Sequence, residues 1–210
     1  MPKVIDHELR RRQVVEALLR LTAERGLDEV SVAKVAAAAG VSVGLVQHYF
    51  SNKDEMLLLA FHTIDERFDE RLRVLLESSG DREVPARSLV REALLQLMPL
   101  DDVRADEARV WLAFCARSVG APQLAKVYEA ATLRRLEQLA DAVVRGQLAG
   151  EAAEDLDPRV EGLQLLAFAE GLAQQALLAA GQISAEMVVE AVDARLDRVF
   201  QFRAVTGENA

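Results

Sequence analysis

Residues 31–56, SVAKVAAAAGVSVGLVQHYFSNKDEM, decide how this chain folds and what its N-terminal part can bind. Ser31 and Ser42 each precede a short apolar run, and serine is a favoured residue at the cap of a helix N-terminus. Gly40 lies between the two runs, where a residue that tolerates positive φ suits a tight turn. The stretch therefore predicts a short helix, a glycine turn and a second helix at about residues 43–50.

Helical patterns continue on both sides of this stretch. Apolar residues recur at helical spacing over residues 6–25, and Gly26 follows where a C-terminal cap would lie. Asn52 and Glu55 have the spacing of a capping box, which predicts a long helix over about residues 52–77 that links two modules. Proline and glycine breaks predict five further helices, at about 84–97, 102–118, 122–149, 158–180 and 184–202.

The composition favours an all-α protein. The chain has 210 residues, of which 51% are hydrophobic, and it contains only 5 prolines. Its commonest residues, alanine, leucine, glutamate and arginine, favour helices. We expect an N-terminal three-helix helix-turn-helix domain, a long connecting helix and a C-terminal helical bundle, with about nine helices in all. The predicted domains are residues 1–55 and residues 56–210.

The net charge of −9 argues against a nucleic-acid partner, because binding to phosphates needs lysine and arginine. The charge distribution weakens this objection. Residues 1–55 hold eight basic and eight acidic side chains, so the whole acidic excess lies after them. The N-terminus lacks the apolar stretch of a signal peptide, and no run reaches the ~18 apolar residues that cross a membrane. We therefore expect a cytoplasmic protein without a membrane partner.

The helix-turn-helix layout places its second helix in the major groove of DNA, while the first helix crosses the backbone. Val46 and Phe50 are four residues apart and are expected to face inward, which leaves the rest of the second helix exposed. Gln47 can form two hydrogen bonds with adenine, and Val43 and Leu45 can touch a thymine methyl group. The second helix therefore has side chains suited to reading base edges.

The stretch also resembles the DNA-binding domain of the TetR family of regulators, over residues 11–56. The family signature is an (A/V)GVSxGxxYxxF-like segment followed by a lysine at the start of the next helix. This chain supplies Ala39, Gly40, Val41, Ser42, Gly44, Tyr49, Phe50 and Lys53, with Tyr49 two positions after the tyrosine of the signature. The resemblance implies that DNA phosphates are contacted by Ser42, His48, Tyr49 and Lys53. It implies that base edges are met by Val43, Gly44, Leu45 and Gln47.

Elementary chemistry supports several of these roles. The Tyr49 hydroxyl and the Lys53 ammonium suit phosphate oxygens. Ser31 and Lys34 are weaker phosphate candidates, since Ser31 stands at a helix N-terminus where backbone amides are available. Gly44 would let the helix approach the groove closely, because a side chain there could block it. Each residue could instead be an ordinary surface or core residue, and the motif as a whole carries the DNA-binding prediction.

A narrower likeness is to the BetI-type choline-responsive repressors. It rests on MPK at residues 1–3, RRRQ at 10–13, VSxGxxxHYF at 41–50 and WLAF at 111–114. Such a regulator would bind a small effector in its C-terminal part, where an aromatic cage would suit a quaternary ammonium. The candidate pocket residues, each of which could also be plain core, are Phe68, Trp111, Phe114, Cys115, Tyr128, Gln164, Phe168 and Gln175. The sequence leaves the effector open.

Small residues recur along the last two helices, and they allow helix backbones to pack closely. They are Gly171, Ala173, Ala176, Ala179 and Ala180. Members of the resembled family dimerise through these helices, so we expect a homodimer formed there. A two-fold dimer also presents two recognition helices to a near-palindromic operator, which DNA specificity requires. Repression is the expected action because members of the resembled family usually act as repressors.

An enzyme and a helical binding protein are the two other function classes for a chain of this kind. An enzyme would need a nucleophile, a metal cluster or paired acids, but His7, His48 and His62 are scattered along the chain. We therefore expect no catalytic residue, metal or cofactor. The alternative is a helical small-molecule-binding or adaptor protein without DNA binding, for which the net charge of −9 is the best support.

Overall fold

The computed structural model describes residues 2–78 and 84–200 of the chain. Within these residues the chain forms α-helices in the predicted order, so the all-α prediction is confirmed. The nine helices of the described residues are α1 (Pro2–Glu29), α2 (Val32–Ala39), α3 (Val43–Tyr49), α4 (Lys53–Ser78), α5 (Ala86–Leu97), α6 (Asp102–Ser118), α7 (Pro122–Leu148), α8 (Pro158–Leu178) and α9 (Ala185–Asp197). None of the described helices has the length and apolar character that crossing a membrane requires.

Serine caps determine where α2 and α3 begin. The hydroxyl oxygens of Ser31 and Ser42 each accept a hydrogen bond from the backbone N–H three residues later, at 3.3 and 3.2 Å. Gly40 between the helices has φ 66° and ψ 32°, the left-handed conformation that the turn needs. Phe50 is already extended, so α3 ends one residue before the predicted boundary. The predicted helix, glycine turn and second helix are confirmed.

The connection from α3 to α4 is held by side-chain hydrogen bonds. The Asn52 Oδ1 accepts from the Glu55 backbone N–H at 2.9 Å, as the predicted capping box requires. The Glu55 carboxylate in turn accepts from the backbone N–H of Ser51 at 2.7 Å, one residue before the cap. These bonds begin α4 at Lys53 and tie its first turn to the end of α3.

By packing, the chain divides into two compact units. The first unit comprises Met1–Asp69 with Asp101–Tyr128, and the second comprises Glu70–Leu100 with Glu129–Ala210. The first unit therefore contains α1, α2, α3, α6 and the larger part of α4. The functional division predicted at residue 55 stays a prediction, since packing describes contacts and not roles.

The core of the first unit lies where α1 meets the two short helices. Val46 of α3 is fully buried and Phe50 is 5% exposed, so both face inward as predicted. They belong to one apolar cluster with Val14 and Leu18 of α1 and Val110 of α6. Because α6 contributes to this cluster, it is part of the packing that holds α3 in place.

The second unit is a bundle in which α8 lies very close to α7. A Cβ built at Gly162 would stand 3.1 Å from the carbonyl oxygen of Leu136 and from the backbone nitrogen of Ala140. Only glycine lets the two helix backbones approach this closely. The Arg91 guanidinium also binds the Asp193 carboxylate, with 2.6 and 3.0 Å contacts that join α5 to α9.

The last helix ends before its predicted boundary of residue 202. It stops at Asp197, and Phe200 is 2% exposed and forms an isolated antiparallel bridge with Ala152. Phe200 is thus held by burial and by its pairing with Ala152, which the local sequence pattern did not reveal. Residues 201 and 202 lie outside the described part of the chain. The α8 helix likewise ends at Leu178 rather than residue 180.

Candidate nucleic-acid interface

The outer side of α3 gathers the side chains predicted to read DNA. Gln47 and His48 are exposed, and Val43 is 43% exposed one turn before Gln47. Leu45 is half-buried at the edge of the same helix. The opposite side carries the buried Val46. The short helix α3 therefore has one side in the core and an exposed outer side with both polar and apolar residues.

Gly44 lies on the exposed side of α3. A Cβ built on it would meet no heavy atom within 4 Å. Packing within the chain therefore does not require a glycine here, since there is space for a side chain. The predicted role of Gly44, to let the helix approach a DNA groove closely, would account for the missing side chain and stays a prediction.

The phosphate candidates of the signature lie at the two ends of α3. Ser42 caps the N-terminal end, where its oxygen accepts a hydrogen bond from Leu45 N–H and its hydroxyl hydrogen can still be donated. Tyr49 and Lys53 lie at the other end, in the last residue of α3 and the first residue of α4. The Tyr49 ring lies 5.9 Å from the ring of His48, between centroids. Hydroxyl, ring and ammonium donors therefore flank the face that is predicted to read bases.

Lys34 forms an ion pair that the sequence did not indicate. Its ammonium donates to the Glu29 carboxylate at 2.6 Å, and both side chains are exposed. Hydrogen bonding to Lys34 holds the pKa of Glu29 below its usual range. Lys34 therefore shares its charge with an acid, and a DNA phosphate would compete with Glu29 for it. Ser31, the other weak candidate, is exposed at the α2 cap.

Five of the predicted pocket residues lie in the first packing unit. Phe114 is fully buried and stacks on Phe61 of α4, with ring centroids 4.0 Å apart. Phe68 is 6% exposed, and Trp111 packs against the apolar cluster around α1. Cys115 and Tyr128 are half-buried, as is Trp111. Phe114 thus serves at least as a core residue, while the pocket role of all five stays a prediction.

The other three predicted pocket residues lie in the second unit. Gln164 and Gln175 are exposed on α8, and Phe168 is half-buried against the bundle core. The Gln164 side-chain oxygen accepts a hydrogen bond from the Arg195 guanidinium at 3.3 Å. The structure thus divides the eight predicted pocket residues between two packing units, and their joint role stays a prediction.

One half-buried acid in the second unit was not among the predicted site residues. Glu170 is the only charged residue between residues 162 and 178 of the apolar helix α8. It is half-buried, and this burial raises the pKa of its carboxyl group, against the opposing effect of Arg135. The signal was present in the sequence as a single acid within an apolar helix.

The fold and this interface define a helix-turn-helix regulator, and comparison with known proteins identifies its family. Residues 14–60 match the model for bacterial regulatory proteins of the tetR family. Residues 85–201 match the model for the C-terminal part of BetI-type transcriptional repressors. The chain belongs to the TetR family of bacterial transcriptional regulators, with a C-terminal part of the BetI type. It is therefore a ligand-responsive transcriptional regulator, as the sequence predicted.

Relatives of known sequence cover most of the chain. The regulator PksA of Bacillus subtilis is 31% identical over 178 residues, which are 85% of this chain and 83% of PksA. The regulator BetI of Burkholderia lata is 36% identical over 174 residues, which are 79% of this chain and 85% of BetI. The family resemblance seen in the sequence is thus confirmed.

Solved structures agree with the fold. A transcriptional regulator from Rhodococcus sp. Rha1 is 31% identical, has a TM-score of 0.77, and aligns over 90% of this chain and 94% of its own. A Saccharomonospora viridis protein solved in complex with choline has a TM-score of 0.83 at 23% identity, over 93% of this chain and 99% of its own. The second likeness shows the fold alone.

The pairing of Lys34 with Glu29 makes a prediction about DNA affinity. Replacing Glu29→Gln should raise affinity for DNA of any sequence by about 1.5- to 5-fold per protomer, since Lys34 is no longer shared with an acid. Fluorescence anisotropy with labelled duplex DNA measures this change. Glu24→Gln is the matched control, because it removes the same charge from an exposed position of α1. An equal gain from the control would show that only net charge matters.

Proposed function

We propose that the protein represses transcription as a homodimer on a near-palindromic operator, and that a small-molecule effector releases it. The observation that carries this proposal is the capped, seven-residue helix α3 with its exposed outer face. One such helix reads only a few base pairs, so a two-fold dimer with two recognition helices supplies the specificity. Its place of action would be the cytoplasm, where bacterial DNA lies.

The exposed side of α8 supports the predicted dimer. Val160, Leu163 and Leu178 are 51%, 53% and 70% exposed, and Ala167 and Gly171 lie exposed between them. Their spacing of three, four or seven residues places them along one side of the helix. An apolar helix face of this length favours association, because pairing with a second copy would remove it from water.

The structure changes which small residues can form that interface. Ala173 and Ala176, members of the predicted small-residue stripe, are each 7% exposed and pack within the second unit. Gly171 remains exposed on the outer side of α8. Met187 of α9 is 52% exposed, so the last helix also offers an apolar side chain to a partner.

Replacing Leu163→Glu should convert the dimer to a monomer with a mass near 23.1 kDa and abolish tight operator binding. A charge on the proposed interface would be buried opposite its own copy in a two-fold dimer. Analytical ultracentrifugation measures the mass. Leu133→Glu is the control, since Leu133 of α7 has similar exposure, 49%, and lies outside the proposed face. A dimer that persists in Leu163→Glu would contradict the proposed interface.

Binding to the promoter region that flanks the gene tests the DNA-binding half of the proposal. Affinity should fall steeply with salt, and Lys53→Ala should lower the slope by about one for each lost phosphate contact. Gln47→Ala should instead relax the preference at one base pair, at a cost of about 1–3 kcal/mol. Anisotropy titrations at several salt concentrations separate these effects. Promoter binding no tighter than random DNA would favour the helical adaptor without DNA binding.

We further propose that the effector is an organic cation. The half-buried Glu170 supports this, because a carboxylate removed from water attracts a cation more strongly than an exposed one. The choline bound by the S. viridis protein of the same fold makes choline the first compound to test.

If choline is the effector, it should release the wild-type protein from operator DNA, and Glu170→Gln should raise the concentration needed by about tenfold. The neutral amide keeps the shape of the side chain but loses the attraction to a cation. Operator release is followed by anisotropy as choline is added. Glu137→Gln, at an exposed position of α7, is the control. An unchanged choline requirement in Glu170→Gln would remove Glu170 from the site.

A further inference from the structure

Within the first packing unit, α6 is attached along α4 at three successive points. Asp54 pairs with Arg117, Phe61 stacks on Phe114, and Arg67 lies 3.8 Å from the Glu107 carboxylate. Residue numbers rise along α4 as they fall along α6, so the two helices run in opposite directions at these contacts. The helix α6 therefore packs antiparallel along α4, and its last turn meets the first turn of α4.

The contact between the two helix ends is geometrically specific. The Arg117 Nε donates to Asp54 Oδ1 at 2.8 Å, and its Nη2 donates to Asp54 Oδ2 at 3.0 Å. Two parallel hydrogen bonds of this kind fix the direction of both side chains, which a single lysine contact would not do. The bonds from Arg117 hold the pKa of Asp54 below its usual range, so the carboxylate stays charged at neutral pH.

The part of α6 that carries Arg117 is anchored in the core. Phe114, one turn before Arg117, is fully buried, and the Ser118 hydroxyl donates to its carbonyl oxygen at 2.7 Å. Arg67 also donates to Glu16 of α1, which joins α1, α4 and α6. Arg117 therefore acts from a fixed helix and not from a mobile surface.

The turn that Arg117 holds is the one beside the candidate DNA contacts. Lys53, a predicted phosphate contact, is the neighbour of Asp54. Only residues 50–52 separate α3 from α4, and Phe50 is buried while Asn52 caps α4. A short connection with fixed ends transmits the position of the first turn of α4 to the last turn of α3, where Tyr49 lies.

We propose that Arg117 is a positioning residue for DNA binding, which acts by clamping Asp54 and so places Lys53 and the end of α3 against the DNA backbone. This inference rests on the proposed function, because it assumes that α3 binds DNA. It adds to that function a residue of α6, far along the chain, that never touches the DNA itself.

Positioning and simple charge effects predict opposite results at Asp54. If only charge mattered, removing an acid beside a phosphate contact would strengthen DNA binding. If the clamp matters, Asp54→Asn breaks the ion pair and weakens binding although the protein becomes less acidic. Arg117→Lys keeps the charge but loses the two parallel bonds, so the clamp predicts weaker binding there as well.

The test measures operator affinity for Arg117→Gln, Arg117→Lys and Asp54→Asn in the full-length protein. Each variant should bind about threefold more weakly per protomer, hence about tenfold more weakly as a dimer. Thermal unfolding should change little, because both side chains are partly exposed, at 48% and 34%. The matched control is Arg109→Gln, whose 44% exposed side chain on the same helix pairs with Asp106 of α6 and not with α4.

The outcomes separate this inference from the proposed function. If the wild-type protein binds no promoter DNA, the proposed function fails. If the wild type binds and Asp54→Asn binds more tightly, charge alone acts and the positioning role is wrong. Equal affinity of the wild type and all three variants would also overturn it, as would an equal loss in Arg109→Gln. Weaker binding by the three variants, with normal binding by Arg109→Gln, supports it.

Discussion

A helix of seven residues is not stable in water by itself, because its few hydrogen bonds do not offset the cost of starting it. The helix α3 has this length, so its existence depends on what surrounds it. The Ser42 cap supplies one hydrogen bond at its start, and the Phe50 N–H donates to the Val46 carbonyl at 2.9 Å at its end. Burial of the Val46 and Phe50 side chains supplies the rest. The same burial decides which side of α3 is left for DNA.

The packing units and the family models divide the chain at different places. The model for the C-terminal part of BetI-type repressors starts at residue 85 and includes α6. By packing, α6 belongs with the N-terminal helices, because Val110 and Phe114 complete the core beneath them. A helix within the stretch that matches the C-terminal model therefore packs with the helices that hold α3.

The second unit is stabilised by different means. Gly162 brings α7 and α8 into backbone contact, and arginine–carboxylate pairs join α9 to its neighbours, such as Arg195 with Glu161. The apolar outer side of α8 remains uncovered in the isolated chain, which is consistent with a protein that works as a pair.

Local signals in the sequence predicted the helix-turn-helix: the serine caps, the glycine at position 40, and the four-residue spacing of Val46 and Phe50. They also brought the predicted base contacts together on α3. Contacts between residues far apart in the chain were decided only by the tertiary structure.

The Arg117 pair with Asp54, 63 residues away, is one such contact, and the placement of α6 beside α1 is another. The burial of Ala173 on the inner side of α8 and the burial of Phe200 also depend on residues far apart in the chain. Periodicity shows that a helix has an apolar side, but not which helix will cover it. That choice depends on how all the side chains fill the core together, so only the folded chain reveals it.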